Sequence, residues 1–391
     1  MSKYGNNDRD DPVPEERSSR FRPPLIAWLS VLFFAACTKM SPEDGVARHD
    51  GTLVRLTVSL PQPALPTRSA GAGDLSGDAE NRIEDVMILV LEQENGKYVY
   101  RYMTEGERLE STGNSAQFQA KLLSTTKPVK LMLAGNYGDA FAAYAPSPGR
   151  SEAEVKAGIG CSFTGAARSL PMYGEIAVPS GLEADRENRF SVKMLRAVAR
   201  IDVEKDLTAD SRSLRIESVR LYRPNDKIQL APDESFAPES PRVTAPSVFA
   251  GAVKSQSPVV TEASEPDPVS IAGIYVPEAD EVADAAARLT DATCIVVGGY
   301  YDGQSQPTYY RVDFDPGLEG HPFGQILRNY KYVFRIRKVT GPGWSDPGLA
   351  AVNKATSIVA EIEPWEDFTT EMHFEGDNYI GLSSRSVTLG Y

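Results

Sequence analysis

The chain is poor in the residues that carry chemistry: 391 residues hold three histidines and three cysteines. His49, His321 and His373 stand far apart, no pair has metal-ligand spacing, and no cysteine or carboxylate cluster accompanies them, so no metal centre is expected. Catalysis needs an acid, a base or a nucleophile that converge, and only fragments of such sets occur. Ser124-Thr125-Thr126-Lys127 has the Ser-x-x-Lys form of penicillin-interacting enzymes, but neither Ser-Asp-Asn nor Lys-Thr-Gly follows it. Asp313 and Asp315 flank Phe314 and could touch calcium, yet Pro316-Gly317 equally fits a turn that ends a strand. Gly298-Gly299 is ordinary turn chemistry rather than a phosphate loop. The expectation is a protein that is not an enzyme, with no catalytic residue, cofactor or metal.

Positive charge is short as well. The formal charge is −13, and because residues 1–36 carry five basic and five acidic side chains, all of it belongs to the rest of the chain. Nucleic-acid binding needs basic side chains that displace counterions, so that partner is excluded. Long hydrophobic runs are missing too. Leu25 to Ala36 spans twelve residues, well under the ~20 a membrane helix needs, and Arg17, Arg20 and Arg22 supply a basic flank before it. The pattern reads as an export signal over residues 1–36, and Ala35-Ala36-Cys37 is the ending that a lipoprotein signal peptidase cuts, leaving Cys37 to carry lipid. The alternative is a secretory peptide in which Cys37 lies near the cut by chance. Acyl chains contribute roughly 0.8 kcal/mol per buried methylene, so a multiply acylated Cys37 would hold the chain firmly on a membrane. Cys161 and Cys294 could pair in an oxidising compartment, but Cys294 opens the apolar run to Val297, which favours two unpaired core thiols.

What is present is strand pattern. Val54, Leu56, Val58 and Leu60 alternate with Arg55, Thr57 and Ser59 as in a half-buried strand. Pro61 to Gly77, rich in proline, glycine and alanine, reads as an accessible linker with Arg68 near its centre. Strand-sized apolar runs follow at Val86–Leu91, Tyr98–Tyr102, Val129–Ala134, Phe190–Leu195, Val198–Val203, Leu214–Tyr222, Cys294–Tyr301, Tyr309–Phe314, Tyr330–Val339 and Ile358–Ile362, broken by turns such as Glu94-Asn95-Gly96. Only Glu152–Gly158 and Val282–Leu289 have helical pattern, and Asp233–Pro268 reads as a long surface loop. Many short strands and few helices indicate an all-β fold of antiparallel sandwiches. The length exceeds what one core usually organises, which predicts two domains that meet near residues 194–199.

The motifs occur in a specific order: the lipobox cysteine, an alternating strand, a linker arginine and Asn81-Arg82-Ile83-Glu84-Asp85, then Leu131-Met132-Leu133-Ala134-Gly135-Asn136 and Pro171-Met172-Tyr173-Gly174-Glu175. Leu195 to Val203, Leu327-Arg328-Asn329-Tyr330-Lys331-Tyr332, Thr340-Gly341-Pro342-Gly343 and Glu363-Pro364-Trp365 complete it. In this order the chain resembles the fimbrillin superfamily of Bacteroidales, the subunits of type V pili, from Cys37 to Trp365. The resemblance implies two transthyretin-like antiparallel β-sandwich domains, export as an outer-membrane lipoprotein, processing by an arginine-specific protease, and assembly with other pilus subunits by strand exchange. On this chain it implies a signal peptide at 1–36, a propeptide with a removable strand at 37–68, an N-terminal domain at 69–196 and a C-terminal domain with a donor tail at 197–391. Cys37 is then the lipidation site and Arg68-Ser69 the cleaved bond. Arg48, Arg55 and Arg82 are poorer sites, since Arg55 lies in a strand and the others lack a Pro/Gly-rich surrounding.

Cleavage after Arg68 would let the strand of Val54, Leu56, Val58 and Leu60 leave, exposing apolar slots and unpaired backbone groups for a neighbour's strand. The donor would be the tail after Trp365, with Met372, Phe374, Tyr379, Ile380, Leu382, Val387 and Leu389 as its apolar residues, although Gly376, Gly381 and Gly390 interrupt it. The favoured function is a structural and adhesive subunit of a cell-surface fimbrium. The alternative is a surface glycan-binding lipoprotein that uses Tyr300-Tyr301, Tyr309-Tyr310 and Trp344, residues that otherwise serve as strand packing.

Overall fold

The computed structural model describes residues 51–60, 80–112, 115–137, 141, 145–163, 169–184, 187–206, 213–233, 243–354 and 357–366. The described residues are mostly strand, with three short helices among them, so the chain is all-β.

The first sheet is built from β1 (Thr52–Ser59), β2 (Val86–Glu94), β3 (Lys97–Thr112), β4 (Ser115–Leu122), β5 (Val129–Gly135), β7 (Met172–Val178), β8 (Asn188–Lys193) and β9 (Leu195–Arg196), in the order β8-β1-β4-β3-β2-β5-β7-β9. Strand β3 is far longer than its Tyr98–Tyr102 run suggested. Its first part pairs with β2 and its last part, from Glu107, with β4. The β2–β3 turn follows its chemistry, with Asn95 at φ 49° and Gly96 at φ 80°, the left-handed pair that a tight hairpin turn requires.

From Ala199 onward the chain forms two four-stranded sheets. One has the order β14-β10-β17-β18, from β10 (Ala199–Lys205), β14 (Ser270–Val276), β17 (Tyr330–Val339) and β18 (Ile358–Glu366). The other has the order β13-β11-β15-β16, from β11 (Leu214–Tyr222), β13 (Val259–Glu262), β15 (Cys294–Tyr301) and β16 (Thr308–Asp313). Phe314, just beyond β16, packs edge to face on Tyr332 and Phe334 of β17 at 5.3 and 5.0 Å. A ribbon of β6 (Gly160–Ser162) and β12 (Lys227–Gln229) joins residues from either side of the change of sheet. One buried apolar cluster runs from Val54 to Val339 through all three sheets.

Several expectations need correction. The pairing is not wholly antiparallel: β1 runs parallel to β8, and β10 parallel to β17. Alternation along one strand fixes which face is buried but not the direction of its neighbour. Helix α1 (Glu152–Gly158) is present, started by a capping box between Ser151 and Glu154. The pattern at Val282–Leu289 yields helix α2 only at Arg288–Asp291. Helix α3 (Pro347–Val352) was not anticipated, although Asp346 caps it and Pro347 begins it. The stretch read as a long loop contains β13.

Candidate functional site

Strand β1 fills a slot rather than an edge. Every residue from Thr52 to Ser59 has an antiparallel partner on β4, and Val54 to Ser59 pair in parallel with Asn188 to Lys193 of β8. Val54, Leu56, Val58 and Leu60 are all at most 2% exposed, while Leu53, Arg55, Thr57 and Ser59 alternate on the half-buried side. Burying four such side chains contributes roughly 6–12 kcal/mol, an upper bound because it assumes an extended unfolded chain. The ends are also fixed. Thr52 Oγ1 donates to Glu183 O at 2.6 Å, and Met194 N donates to Ser59 O at 2.9 Å. In the sheet order β8 has β1 as its one named neighbour. Taking β1 out would therefore open β4 and strip β8 of its ladder at once.

The far side of the linker is held as firmly. Glu80 accepts from Arg200 Nη1 at 2.7 Å and from the hydroxyl of Tyr275. Arg196 donates to Glu80 O at 3.3 Å, to Asn81 Oδ1 at 2.5 Å and to Asn329 Oδ1 at 3.0 Å. Asp202, nearly buried, accepts from Arg200 and from Gly273 N and pairs with Lys331. Burial alone would raise its pKa, but the Arg200 and Lys331 cations outweigh it and hold the carboxyl below its usual value. Next along the chain, Asn136, in the left-handed region at φ 56°, donates to Arg82 O at 2.8 Å and Leu170 O at 2.9 Å and accepts from Glu84 N at 2.7 Å. The segment from Glu80 to Glu84 is thus tied to three separate parts of the fold. The sequence motifs held these residues but not their pairing; an acid and an amide placed just after a linker were the available signal.

The proposed cleavage residues Arg68 and Ser69, the lipidation residue Cys37, and the tail residues Met372, Phe374, Tyr379, Ile380, Leu382, Val387 and Leu389 lie outside the described residues. Of the other arginines, Arg55 sits inside the doubly paired strand, and the backbone at Arg82 is clamped by Asn136.

Among the described residues no group of three or more His, Cys, Asp or Glu could hold an ion. Asp313 is engaged by Arg311 at 2.7 Å. Thr125 and Lys127 of the Ser-x-x-Lys stretch both bind Glu92. His321 packs edge-on against Tyr330 at 5.8 Å. Charges of α1 and the first sheet are mutually paired, the half-buried Lys130 to Glu152 at 2.7 Å and the buried Lys156 to Glu175 at 2.8 Å. Cys161 and Cys294 are free thiols, both pushed up to about 11 by burial. No described helix is long and apolar enough to cross a membrane.

The candidate sugar-stacking residues divide cleanly. Tyr310 is fully buried, its hydroxyl bonded to Gly341 O at 3.0 Å, and Tyr301 packs against the core. Tyr300 and Tyr309 lie on the opposite, outer face, and Trp344 is 38% exposed.

No protein-family model and no curated protein matches the sequence of this chain. Its fold is similar to that of solved structures. A candidate cell adhesion protein from Parabacteroides distasonis aligns with a TM-score of 0.52 at 13% identity, covering 80% of this chain and 98% of its own. Another such protein from the same organism aligns at 0.48 and 17%, covering 83% and 99%. The tip fimbrial protein Mfa3 from Porphyromonas gingivalis aligns at 0.45 and 16%, covering 80% and 100%. At these identities the likeness is one of fold.

Proposed function

We propose that this protein is a structural and adhesive subunit of a cell-surface fimbrium, held at the outer membrane through a lipidated Cys37 and joined to other pilus subunits by exchange of β1. The observation that carries the reading is the slot: an N-terminal strand, paired on both sides and followed by the linker that contains Arg68, is the part of the first sheet best placed to be replaced by an equivalent strand. A sheet that loses such a strand presents unpaired N–H and C=O groups on two edges and an apolar floor, which main-chain pairing and alternate side chains from a neighbour can fill. The order of motifs resembles that of fimbrillins, and the fold is similar to that of a candidate cell adhesion protein. Both favour the same surface role.

The test is treatment of the full chain with an arginine-specific protease. A ladder of oligomers after cleavage at Arg68 supports the reading; a cut product that stays monomeric and keeps β1 bound argues against it. Lipidation is checked separately by palmitate labelling, which Cys37→Ala should abolish.

A further inference from the structure

Strand β1 carries a single charge, Arg55, and its place in the slot is set from both sides. Arg55 stands directly opposite Gln119 of β4 and Arg189 of β8. Because β4 runs antiparallel to β1 and β8 parallel to it, a strand that repeats these pairings can enter in one direction only. A slip of one residue would turn its apolar side chains outward. Two arginines in opposed positions would by themselves repel. Here Glu187, the residue just before β8, lies between them. One of its carboxylate oxygens pairs with Arg55 Nε, and the other accepts from Arg189 Nε at 2.8 Å and pairs with Nη2 at 2.6 Å.

The acid is the member of this trio that depends most on the others. The Glu187 side chain is 24% exposed, against 43% for Arg55 and 71% for Arg189, and the Arg55 Nε and Glu187 Oε1 atoms that face each other are shut off from solvent. A strand with a neutral residue in the place of Arg55 would leave Oε1 without its cation, and one with an acid there would set like charges against each other. On the β4 side the amide of Gln119 is turned to Glu107, to which it donates at 2.7 Å. The charge at position 55 is therefore met from the β8 side, by Glu187.

We propose that Glu187 selects the strand that enters the slot, favouring a strand of another subunit that carries arginine or lysine between its first two inward aliphatic residues. This rests on the exchange of β1 put forward above and adds which donor the slot prefers. The preferred pattern is that of Val54-Arg55-Leu56-Thr57-Val58-Ser59-Leu60, four aliphatic residues at alternate places with a base after the first. Residues 367–391 hold two basic residue types, His373 and Arg385. With Arg385 in the place of Arg55, Ser384, Ser386, Thr388 and Gly390 would face the core; with His373 there, Gly376 and Asn378 would take the last two apolar places. The register that turns Val387, Leu389 and Tyr391 inward sets Thr388 against Glu187. The tail of a second copy thus fills apolar places without supplying the charge. It can enter, but a strand that offers both is preferred, since specificity is a difference between two affinities.

The experiment offers labelled peptides to the full chain cut at Arg68, once the protease has been removed, and reads binding by fluorescence anisotropy. A peptide of residues 52–60 should bind. Arg55→Ala in that peptide should weaken binding about fivefold, the upper range for an ion pair of this exposure, and Arg55→Glu by more than about tenfold. A peptide of residues 383–391 should bind more weakly than the parent peptide. On the Glu187→Lys chain the order of the parent and Arg55→Glu peptides should reverse. Equal binding of those two peptides by the parent chain overturns the selection and leaves the exchange of β1 standing, as does an order that Glu187→Lys fails to change. Binding of the 383–391 peptide as tight as that of the parent peptide makes a second copy's tail the preferred donor and overturns it too. Failure of every peptide to bind, the parent included, overturns the exchange of β1 itself and the selection with it.

Discussion

Arg200 reaches back across the fold to Glu80, donating to its carboxylate at 2.7 Å while its Nε binds Asp202 at 2.8 Å. One arginine therefore joins the first described residue after the linker to the start of β10. Both partners of the Glu80 pair are largely buried, with side chains 14% and 13% exposed, so removing one leaves a poorly solvated charge. Glu80→Ala is expected to cost about 1–3 kcal/mol, measured by urea unfolding. Arg200→Ala should cost more, since it also takes one of the two cationic partners from Asp202. Cleavage at Arg82 by a limiting protease should quicken in Glu80→Ala, because the anchor that keeps this segment closed has gone. An unchanged cleavage rate would show that Asn136 alone holds the segment.

The pairing of β1 predicts an effect at a distance along the chain. Leu56→Ala removes a side chain that is 1% exposed and should destabilise by about 2–5 kcal/mol. Since β8 is laddered to β1, hydrogen exchange should speed at Phe190 and Val192 as well as at β4, with β5 and β7 less affected. Uniform loss of protection across the first sheet would mean that β1 and β8 open only with the whole unit.

How much of this was legible follows from what each signal depends on. Strands β11, β15 and β17 coincide with their apolar runs to the residue, and β1 alternates as its sequence does, because burial acts through the local side-chain period. Strand β4 was passed over: its buried face is Ala116, Phe118, Ala120 and Leu122, and two alanines weaken the alternation. The parallel partner of β1 was beyond reach, since Asn188–Lys193 lies more than a hundred residues away and direction leaves no mark on either strand. The recognisable motifs prove to be structural. Asn136 and Asn329 both adopt positive φ and clamp distant backbone or arginine, and Arg328, fully buried, is held by Glu278 at 2.7 Å and by the carbonyls of Gln229 and Leu230. Of the aromatic pairs, alternation alone could separate Tyr300 from Tyr301, but only the topology could show which of them faces out.

Lys254 sets a pH dependence of unusual sign. Its Nζ donates to Thr293 Oγ1 at 3.0 Å, and burial, reinforced by Arg223 and opposed by Asp280 and Asp291, pushes its pKa down to about 8. The folded state therefore releases a proton that the unfolded chain keeps up to about pH 10.4. Between these values the unfolded state binds more protons, and this residue's contribution to stability rises with pH. Lys254→Met is expected to be more stable than the parent at pH 7, by on the order of 2 kcal/mol, with the difference shrinking towards pH 10. The measurement is paired urea unfolding at several pH values, so that other titrating groups cancel between the two proteins. A difference that does not vary with pH would mean that the folded state holds the Lys254 proton as tightly as the unfolded chain does.

In the proposed reading, Arg68 decides whether β1 can be exchanged. While the linker is intact, β1 is tethered close to its slot, with an effective concentration of order millimolar for a short flexible connection. An external strand that makes the same ladder has to compete against that concentration and against the four buried side chains. Cutting the linker removes the tether but not the contacts, and the anchor at Glu80 and Asn81 keeps the rest of the sheet in place. Cleavage should therefore release β1 only where a competing strand is present, either a neighbour's tail or an added peptide. A labelled peptide of residues 52–60 is the probe. It should enter the chain cut at Arg68 and fail to enter Arg68→Ala treated with the same protease, and a peptide with Val54, Leu56 and Val58 changed to Asp should enter neither. Equal uptake by cut and uncut chains would show that the tether is no barrier, and the switch would then have to lie in the supply of the donor strand rather than in proteolysis.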